Sequence, residues 1–229
     1  LLNLPLLYWA SEETGDNRYR EIALAHTETT LKYSFRQDYS CHHTFFLDPV
    51  TGEGVRGETN QGHDSKSSWA RGQAWAIYGL VLGYQKTGNR SLLDLFEPVS
   101  EYFLSRLPAD LVPYWDLIFT EGDEPRDSSS SSIVACGFLA AAESFDELGE
   151  AEKAGMYRSL AKKLLKALYD HCRVLPGDDS NGLVYHGTYS KKSPYNTCTP
   201  EGVDECVSWG DYYWMEALTR LGGGWEPYW

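Results

Sequence analysis

The segment of residues 41–75 gathers several side chains that bind ligands or transfer protons. It reads CHHTFFLDPVTGEGVRGETNQGHDSKSSWARGQAW. Its polar and aromatic members are His42, His43, Gln61, His63, Asp64, Trp69, Arg71 and Trp75. Histidine and carboxylate groups carry acid–base chemistry, and tryptophan offers a flat apolar face on which a sugar ring can stack. The segment therefore indicates a candidate site at the start of the helix that follows it.

Arg71 lies in the first turn of that helix, which reads apolar nearly all round over residues 74–84. A positive charge there is opposed by the helix dipole and by the loss of water. Arg71 therefore needs either a buried carboxylate from another loop or an anionic ligand, and the sequence leaves both alternatives open. Arginine suits either role, because its planar fork holds a carboxylate through two hydrogen bonds.

Three further acids, Asp116, Asp127 and Asp211, precede or begin predicted helices and are candidates for acid–base work. Each also has an interpretation as a helix cap or an ion-pair partner, which we favour. His186, in the segment YHGTY, is similarly ambiguous. His42 and His43 are adjacent, which is poor geometry for joint metal binding, so we predict neither a metal ion nor a cofactor.

The composition narrows the class of partner. The formal charge of −13 argues against nucleic acid or an anionic membrane surface as a partner. The five cysteines form no CxxC pair, which argues against a zinc ribbon or a disulfide framework; Cys198 and Cys206 could close a short loop in an oxidising compartment. A Gly-rich phosphate loop, an HExxH motif and a GxSxG elbow are missing from the sequence. The compartment stays open.

Helical periodicity accounts for most of the chain. Seven helices are predicted, at about 1–14, 17–36, 67–86, 90–106, 128–147, 152–173 and 207–221. Glycines that are typical of left-handed caps follow the helical runs, at Gly15, Gly88, Gly149 and Gly222. The third and fifth helices, each before a glycine, are apolar nearly all round, whereas the helices after the glycines are amphipathic. This alternation predicts an inner layer of helices wrapped by an outer one.

Two architectures satisfy this alternation, an α/α barrel of six inner and six outer helices and an open α-solenoid. Solenoid repeats are usually about 33–47 residues long, whereas the glycine turns lie 73, 61 and 73 residues apart. We therefore predict an all-α fold, an (α/α)6 barrel with about seven of its twelve helices in residues 1–229. These residues are predicted to form one domain.

The first ten residues, LLNLPLLYWA, are an unusual beginning for a chain. They lack an initiator Met, and they are too short for a membrane span and lack the basic leader of a signal peptide. We expect them to be an inner helix of a larger domain, of which this chain is the C-terminal part. Exposure of Leu2, Leu6, Leu7 and Trp9 would then favour self-association.

Several segments occur in the order found in one known family. They are NLPLLYWAS, CHHTFFLDPVTGE, TNQGHDSKSSWARGQAWAIYG, LPADLVPYWD, PRDSSSSSIVACG and GDYYWMEALTR. Over nearly the whole chain they resemble the unsaturated glucuronyl hydrolases, glycoside hydrolase family 88. The resemblance implies an α/α barrel and a substrate oligosaccharide, released by a polysaccharide lyase, whose terminal uronic acid carries a C4=C5 double bond. It also implies acid-catalysed hydration of this vinyl ether, in which an aspartic acid protonates C4 and water adds at C5.

The same resemblance implies substrate-binding roles for His43, Gln61, Arg71 and Trp75. Arg71 would meet the anionic sugar or its neighbour, Trp75 would stack, and His43 and Gln61 would hydrogen-bond near the reacting ring. In the family the acid lies just upstream of the helix that reads NLPLL, and a second important aspartate lies further upstream. Both are therefore expected before Leu1, and the chain alone is expected to have little or no activity.

Other functions are consistent with the sequence. The unsaturated rhamnogalacturonyl hydrolases share the Arg-Gly-x-x-Trp element. An inverting glycosidase on the same barrel would use Asp116 and Asp211, about 6.5–9.5 Å apart around a cleft. A non-catalytic carbohydrate-binding or scaffold protein would bind sugar through Trp69, Trp75, Trp115 and Trp209.

Overall fold

The structure, a computed structural model, describes residues 1–191 and 202–226. Its helices are α1 (Pro5–Thr14), α2 (Asn17–Tyr33), α3 (Ala70–Thr87), α4 (Arg90–Ser105), α5 (Ser128–Glu147), α6 (Ala151–His171) and α7 (Ser208–Leu221). They agree with the seven predicted helices to within four residues at each end. The largest difference is the start of α1 at Pro5, since proline has no N–H and favours the first turn. Cys198 lies outside the described residues.

A two-stranded antiparallel hairpin occupies part of the segment before α3, which the sequence analysis treats as a loop. Its strands are β1 (Thr44–Leu47) and β2 (Gly54–Glu58). The ring of Phe45 packs edge-on against His42, with 5.2 Å between ring centroids. A Cβ on Gly57 would lie only 2.1 Å from His42 Nδ1, so β2 needs a glycine at this position. The hairpin thereby fixes the segment that carries the adjacent histidines.

The helices form the two predicted layers. The inner helices are α1, α3, α5 and α7, and each packs on the next one in this series. The outer helices α2, α4 and α6 pack on α1, α3 and α5, respectively. Gly79 allows the start of the chain to approach α3 closely, because a Cβ there would lie 2.6 Å from Leu1 Cβ and 2.9 Å from Leu2 N. Within the part of the chain that the structure describes, no helix is long and apolar enough to cross a membrane.

Three of the four predicted glycine caps are left-handed. Gly15, Gly88 and Gly149 have φ angles of 71°, 69° and 76°. The prediction for Gly222 is wrong: its φ is −76°, and the left-handed residue is Gly223, with φ 77°. The helical turn continues through Gly222, whose N–H donates to the Leu218 carbonyl, so the reversal occurs one residue later.

Candidate functional site

Arg71 is the most constrained side chain at the start of α3. Its Nη1 donates to Asp127 Oδ2 at 2.9 Å, to Ser129 Oγ at 3.3 Å and to the Thr188 carbonyl at 2.7 Å, and its Nη2 donates to the Tyr189 carbonyl at 2.8 Å. The Arg71 side chain is 3% exposed and that of Asp127 is fully buried. Of the two alternatives for Arg71, the buried carboxylate from another loop is therefore present.

Aromatic rings cover this ion pair. The Arg71 guanidinium carbon lies 4.6 Å from the ring centroid of Trp69 and 4.9 Å from that of Trp209. Trp69 also contacts the imidazole of His43, with 4.4 Å between ring centroids. Burial lowers the pKa of Arg71, and the Asp127 carboxylate opposes that shift. The result is a water-poor site in which a charged guanidinium is held in one orientation.

His43 is held by the turn that follows β2. Its Nδ1 lies 3.0 Å from Thr59 Oγ1 and accepts from the main-chain N–H groups of Asn60, at 3.2 Å, and Gln61, at 3.3 Å. Burial, and secondarily the charge of Arg71, lowers the pKa of His43 to about 4. His43 is therefore neutral at physiological pH.

Gln61 and Trp75 complete the set of four residues that the sequence analysis selects. The side-chain amide of Gln61 donates from Nε2 to the Tyr189 carbonyl at 2.7 Å, the same oxygen that Arg71 contacts. Trp75 packs against Tyr213, with 5.4 Å between ring centroids. Trp75 also shares with His43 and Leu1 the lining of a cavity of about 160 Å³. The structure thus brings all four residues together at the start of α3.

The other candidate acids are engaged by the protein itself. Asp116 Oδ2 accepts from His63 N at 2.7 Å and from Ser67 Oγ at 2.6 Å, so Asp116 ties two loops together. Asp211 Oδ1 accepts from the N–H groups of two successive residues, 183 and 184, at 3.1 Å each. These contacts agree with structural roles, and they give no support to an inverting pair of acids.

Two further candidates occupy positions that limit their use. His186 adopts a left-handed backbone, with φ 64°, and its Nδ1 pairs with Asp204 at the surface. Trp115 is only 1% exposed, and its indole N–H donates to Glu124 at 2.9 Å. The expectation that Trp115 stacks on a sugar is therefore wrong, because its ring lies inside the protein.

Sequence reasoning missed the contributions of Thr59, Thr188 and Tyr189. Two of these act through main-chain carbonyls, which no residue type identifies, and they lie more than 100 positions from Arg71 along the chain. Among residues 1–191 and 202–226, no group of three or more His, Cys, Asp or Glu side chains could hold a metal ion. The site is built from the buried Arg71–Asp127 ion pair, hydrogen-bond donors, main-chain carbonyls and aromatic rings.

Comparisons with known proteins identify the family of this chain. The sequence profile of Glycosyl Hydrolase Family 88 matches residues 1–193. A curated relative from Streptococcus pyogenes serotype M1, "Unsaturated chondroitin disaccharide hydrolase", is 44% identical over 233 residues, covering 100% of this chain and 56% of its own length. The "Unsaturated glucuronyl hydrolase" of Bacillus sp. (strain GL1) is 40% identical over 232 residues, covering 100% and 59%. The chain thus spans a little over half the length of these relatives.

Solved structures give the same result. The unsaturated glucuronyl hydrolase of Bacillus sp. GL1 has a TM-score of 0.90 to this chain at 39% identity, over 97% of this chain and 57% of that one. A variant of the Streptococcus agalactiae enzyme, complexed with dGlcA-GalNAc6S, has a TM-score of 0.85 at 40% identity, over 99% and 58%. These neighbours are (α/α)6 barrels, so the predicted barrel is confirmed for the seven helices described here.

Proposed function

The chain belongs to glycoside hydrolase family 88, and on that premise we propose that the protein hydrolyses oligosaccharides whose terminal uronic acid carries a C4=C5 double bond. The observation that carries this proposal is the convergence of the three polar site residues on shared partners. Arg71 and His43 contact Trp69, and Arg71 and Gln61 donate to the Tyr189 carbonyl. Relatives whose names specify unsaturated chondroitin disaccharides or unsaturated glucuronyl groups support the same substrate class.

We assign recognition of the uronate carboxylate to one edge of Arg71. Asp127, Ser129 and Thr188 occupy Nη1, whereas Nη2 donates one hydrogen bond and Nε donates none among the described residues. We propose that Nε and the second proton of Nη2 bind the carboxylate in a bidentate manner. Because the Asp127 ion pair already fixes the guanidinium, little order is lost when the sugar binds.

The remaining three roles follow from chemistry and position. His43 and Gln61 would hydrogen-bond to the oxygens of the sugar, and Trp75, half-buried at the cavity, would stack on a ring face. Gln61 Nε2 donates to the Tyr189 carbonyl, and we propose that its Oε1 accepts a hydrogen bond from a sugar hydroxyl. We propose that these contacts orient the unsaturated ring.

The reaction also needs an acid to protonate C4. Leu1 lines the same cavity as His43 and Trp75, so a residue immediately before Leu1 would lie at the rim of the site. We propose that an aspartic acid at that position transfers its proton to C4 while water adds at C5. The water returns its proton to the aspartate, and the resulting hemiketal opens to a C5 ketone by breaking the bond between C5 and the ring oxygen. The hemiacetal left at C1 then releases the rest of the oligosaccharide, and the former unsaturated sugar is freed in its keto form. The 229-residue chain alone is accordingly expected to be inactive.

The test uses the intact gene product and a panel of sulfated and unsulfated unsaturated uronyl disaccharides. It follows the ultraviolet absorbance of their C4=C5 bond. Decay is expected, and Arg71→Lys should lower kcat/KM by about 100-fold because Lys cannot supply the bidentate edge. Arg90→Lys, at an outer ion pair on α4, serves as the matched control. An unchanged absorbance across the disaccharide panel would reject the proposed function and favour a binding or scaffold role.

Arg71 is buried, so circular dichroism must show that Arg71→Lys is folded. If it is not, Gln61→Ala gives an independent measurement, because Gln61 is half-buried and makes one side-chain hydrogen bond. A decrease of about tenfold is expected for the loss of one oriented hydrogen bond in the site. Wild-type kinetics in both variants would show that these residues do not bind the sugar.

A further inference from the structure

The ring nitrogen Nδ1 of His43 is surrounded by donors. The main-chain N–H groups of Asn60 and Gln61 point to it, and Thr59 Oγ1 lies closest, at 3.0 Å. A main-chain N–H cannot accept a hydrogen bond. A proton on Nδ1 would therefore face two other protons, so the neutral ring must carry its proton on Nε2.

The hydroxyl of Thr59 has a defined direction. Its oxygen accepts from the N–H of Gly62 at 2.8 Å, which leaves the hydroxyl proton available for Nδ1 of His43. The same Thr59–Gly62 bond closes the turn of residues 59–62, from which the N–H groups of Asn60 and Gln61 reach the ring. Thr59 thus contributes one donor directly and helps to present the other two.

We infer that Thr59 is a positioning residue that holds His43 as the Nε2–H tautomer, so that His43 offers the ligand a hydrogen-bond donor and no acceptor. The catalytic relevance of this inference rests on the proposed function, in which His43 meets the sugar. The position of His43 in the wall of the cavity and its contact with Trp69 agree with that role. Burial, and secondarily the charge of Arg71, lowers the pKa of His43 to about 4, so the ring is neutral at physiological pH and carries a single proton.

The chemical consequence is a rule for the ligand. A fixed Nε2–H selects an acceptor such as a carboxylate, ether or carbonyl oxygen. Gln61 uses Nε2 on the Tyr189 carbonyl, so the group it has left for a ligand is the acceptor Oε1, which would select a hydroxyl donor. His43 as a donor and Gln61 as an acceptor would thus bind two different oxygens of one sugar.

The tautomer can be measured directly in the intact gene product labelled with ¹⁵N-histidine, since the two ring nitrogens have separate chemical shifts in each tautomer. His43→Gln identifies the His43 signals. We expect an unprotonated Nδ1 and a protonated Nε2 in the wild type and in Thr59→Ser, which keeps the hydroxyl. In Thr59→Val, which keeps the branched shape but has no hydroxyl, the Nδ1–H fraction should rise about five- to tenfold, the shift in equilibrium that corresponds to one hydrogen bond.

Activity gives the second measurement. Thr59→Val should lower kcat on unsaturated disaccharides several-fold, and Thr59→Ser should restore it together with the wild-type tautomer. A wild-type Nδ1–H tautomer, or a Thr59→Val spectrum equal to the wild type, would overturn the assignment of Thr59. If the disaccharides are not hydrolysed at all, the proposed function fails while the spectra still decide the tautomer.

Discussion

Replacing Asp127 by asparagine removes the charged partner of Arg71 and keeps the shape of the side chain. Both groups lie inside the protein, with side-chain exposures of 3% for Arg71 and 0% for Asp127, and they are 2.9 Å apart. The second oxygen of Asp127 accepts from Ser129 Oγ at 2.5 Å and from Thr188 N at 3.4 Å. An amide accepts through one oxygen only, so asparagine keeps either the hydrogen bond from Arg71 or those from Ser129 and Thr188, but not both sets.

The expected cost is set by the buried charge left behind. At 2.9 Å and an effective dielectric constant of about 20, the attraction between two unit charges is roughly 6 kcal/mol. Desolvation offsets part of this attraction, and removal of one partner from a buried pair typically costs about 3–5 kcal/mol. We therefore expect Asp127→Asn to lower the free energy of unfolding by about 3–5 kcal/mol, with little dependence on salt because the pair is shielded from ions.

The chain contains a matched control. Arg126 and Asp110 form an ion pair with the same separation of 2.9 Å, but their side chains are 27% and 36% exposed. Asp110→Asn should therefore cost at most about 1 kcal/mol, and added salt should reduce that value. Comparing the two asparagine variants separates the effect of burial from that of distance.

Urea unfolding of the intact gene product, followed by circular dichroism, gives both free energies. A double-mutant cycle with Arg71→Met should show a coupling between Arg71 and Asp127 of about 2 kcal/mol or more, because the double variant no longer buries an unpaired charge. Equal costs for Asp127→Asn and Asp110→Asn, or a coupling below about 0.5 kcal/mol, would refute the reasoning from burial.

Three other outcomes are expected. His43 should titrate with a pKa of about 4 by NMR, and a midpoint near 6.5 would contradict this expectation. Because His43 in the unfolded chain binds its proton near pH 6.5, its contribution to stability is present above that pH and is lost as the pH falls toward 4. Gly57→Ala should cost about 1–3 kcal/mol in urea unfolding because its Cβ meets His42, whereas Gly155→Ala, with open space in α6, should be neutral or stabilising. The 229-residue chain should self-associate in sedimentation experiments through exposed apolar residues of α1 and α7. Trp9→Gln should weaken that association, and a chain that stays monomeric at high concentration would contradict the prediction of self-association.

Helix periodicity predicts most of the fold. The apolar run 133–142 and the amphipathic run 157–168 differ enough in pattern to assign one to the inner and one to the outer layer, and α5 and α6 occupy those layers. The hairpin is not predictable from the sequence, because its two strands are short, β2 contains two glycines, and neither strand shows a clear alternation of apolar and polar residues. Short strands of this kind are defined by packing, here on the ring of His42, more than by their own sequence.

The sequence predicts which side chains belong to the candidate site, but it does not predict their hydrogen-bond partners. Arg71 could be recognised because a buried arginine requires compensation, yet only the structure identifies Asp127 as its partner. The Tyr189 carbonyl, shared by Arg71 and Gln61, carries no signature in the sequence, since every residue type has the same carbonyl. For Trp115 the sequence suggests a ligand contact that the structure does not support. An aromatic residue in a loop is consistent both with a sugar-binding surface and with a place in the core.

Arg71 donates hydrogen bonds to the carbonyls of Thr188 and Tyr189, and these bonds determine when the site can form during synthesis. These contacts span 117 and 118 residues, so more than a hundred further amino acids must be added after Arg71 before its last partners exist. Domains synthesised from the N-terminus gain their long-range contacts late. The Arg71 guanidinium therefore gains its last two acceptors only after α5 and α6 have been made, and in a nascent chain that ends before residue 188 the network around Arg71 is incomplete.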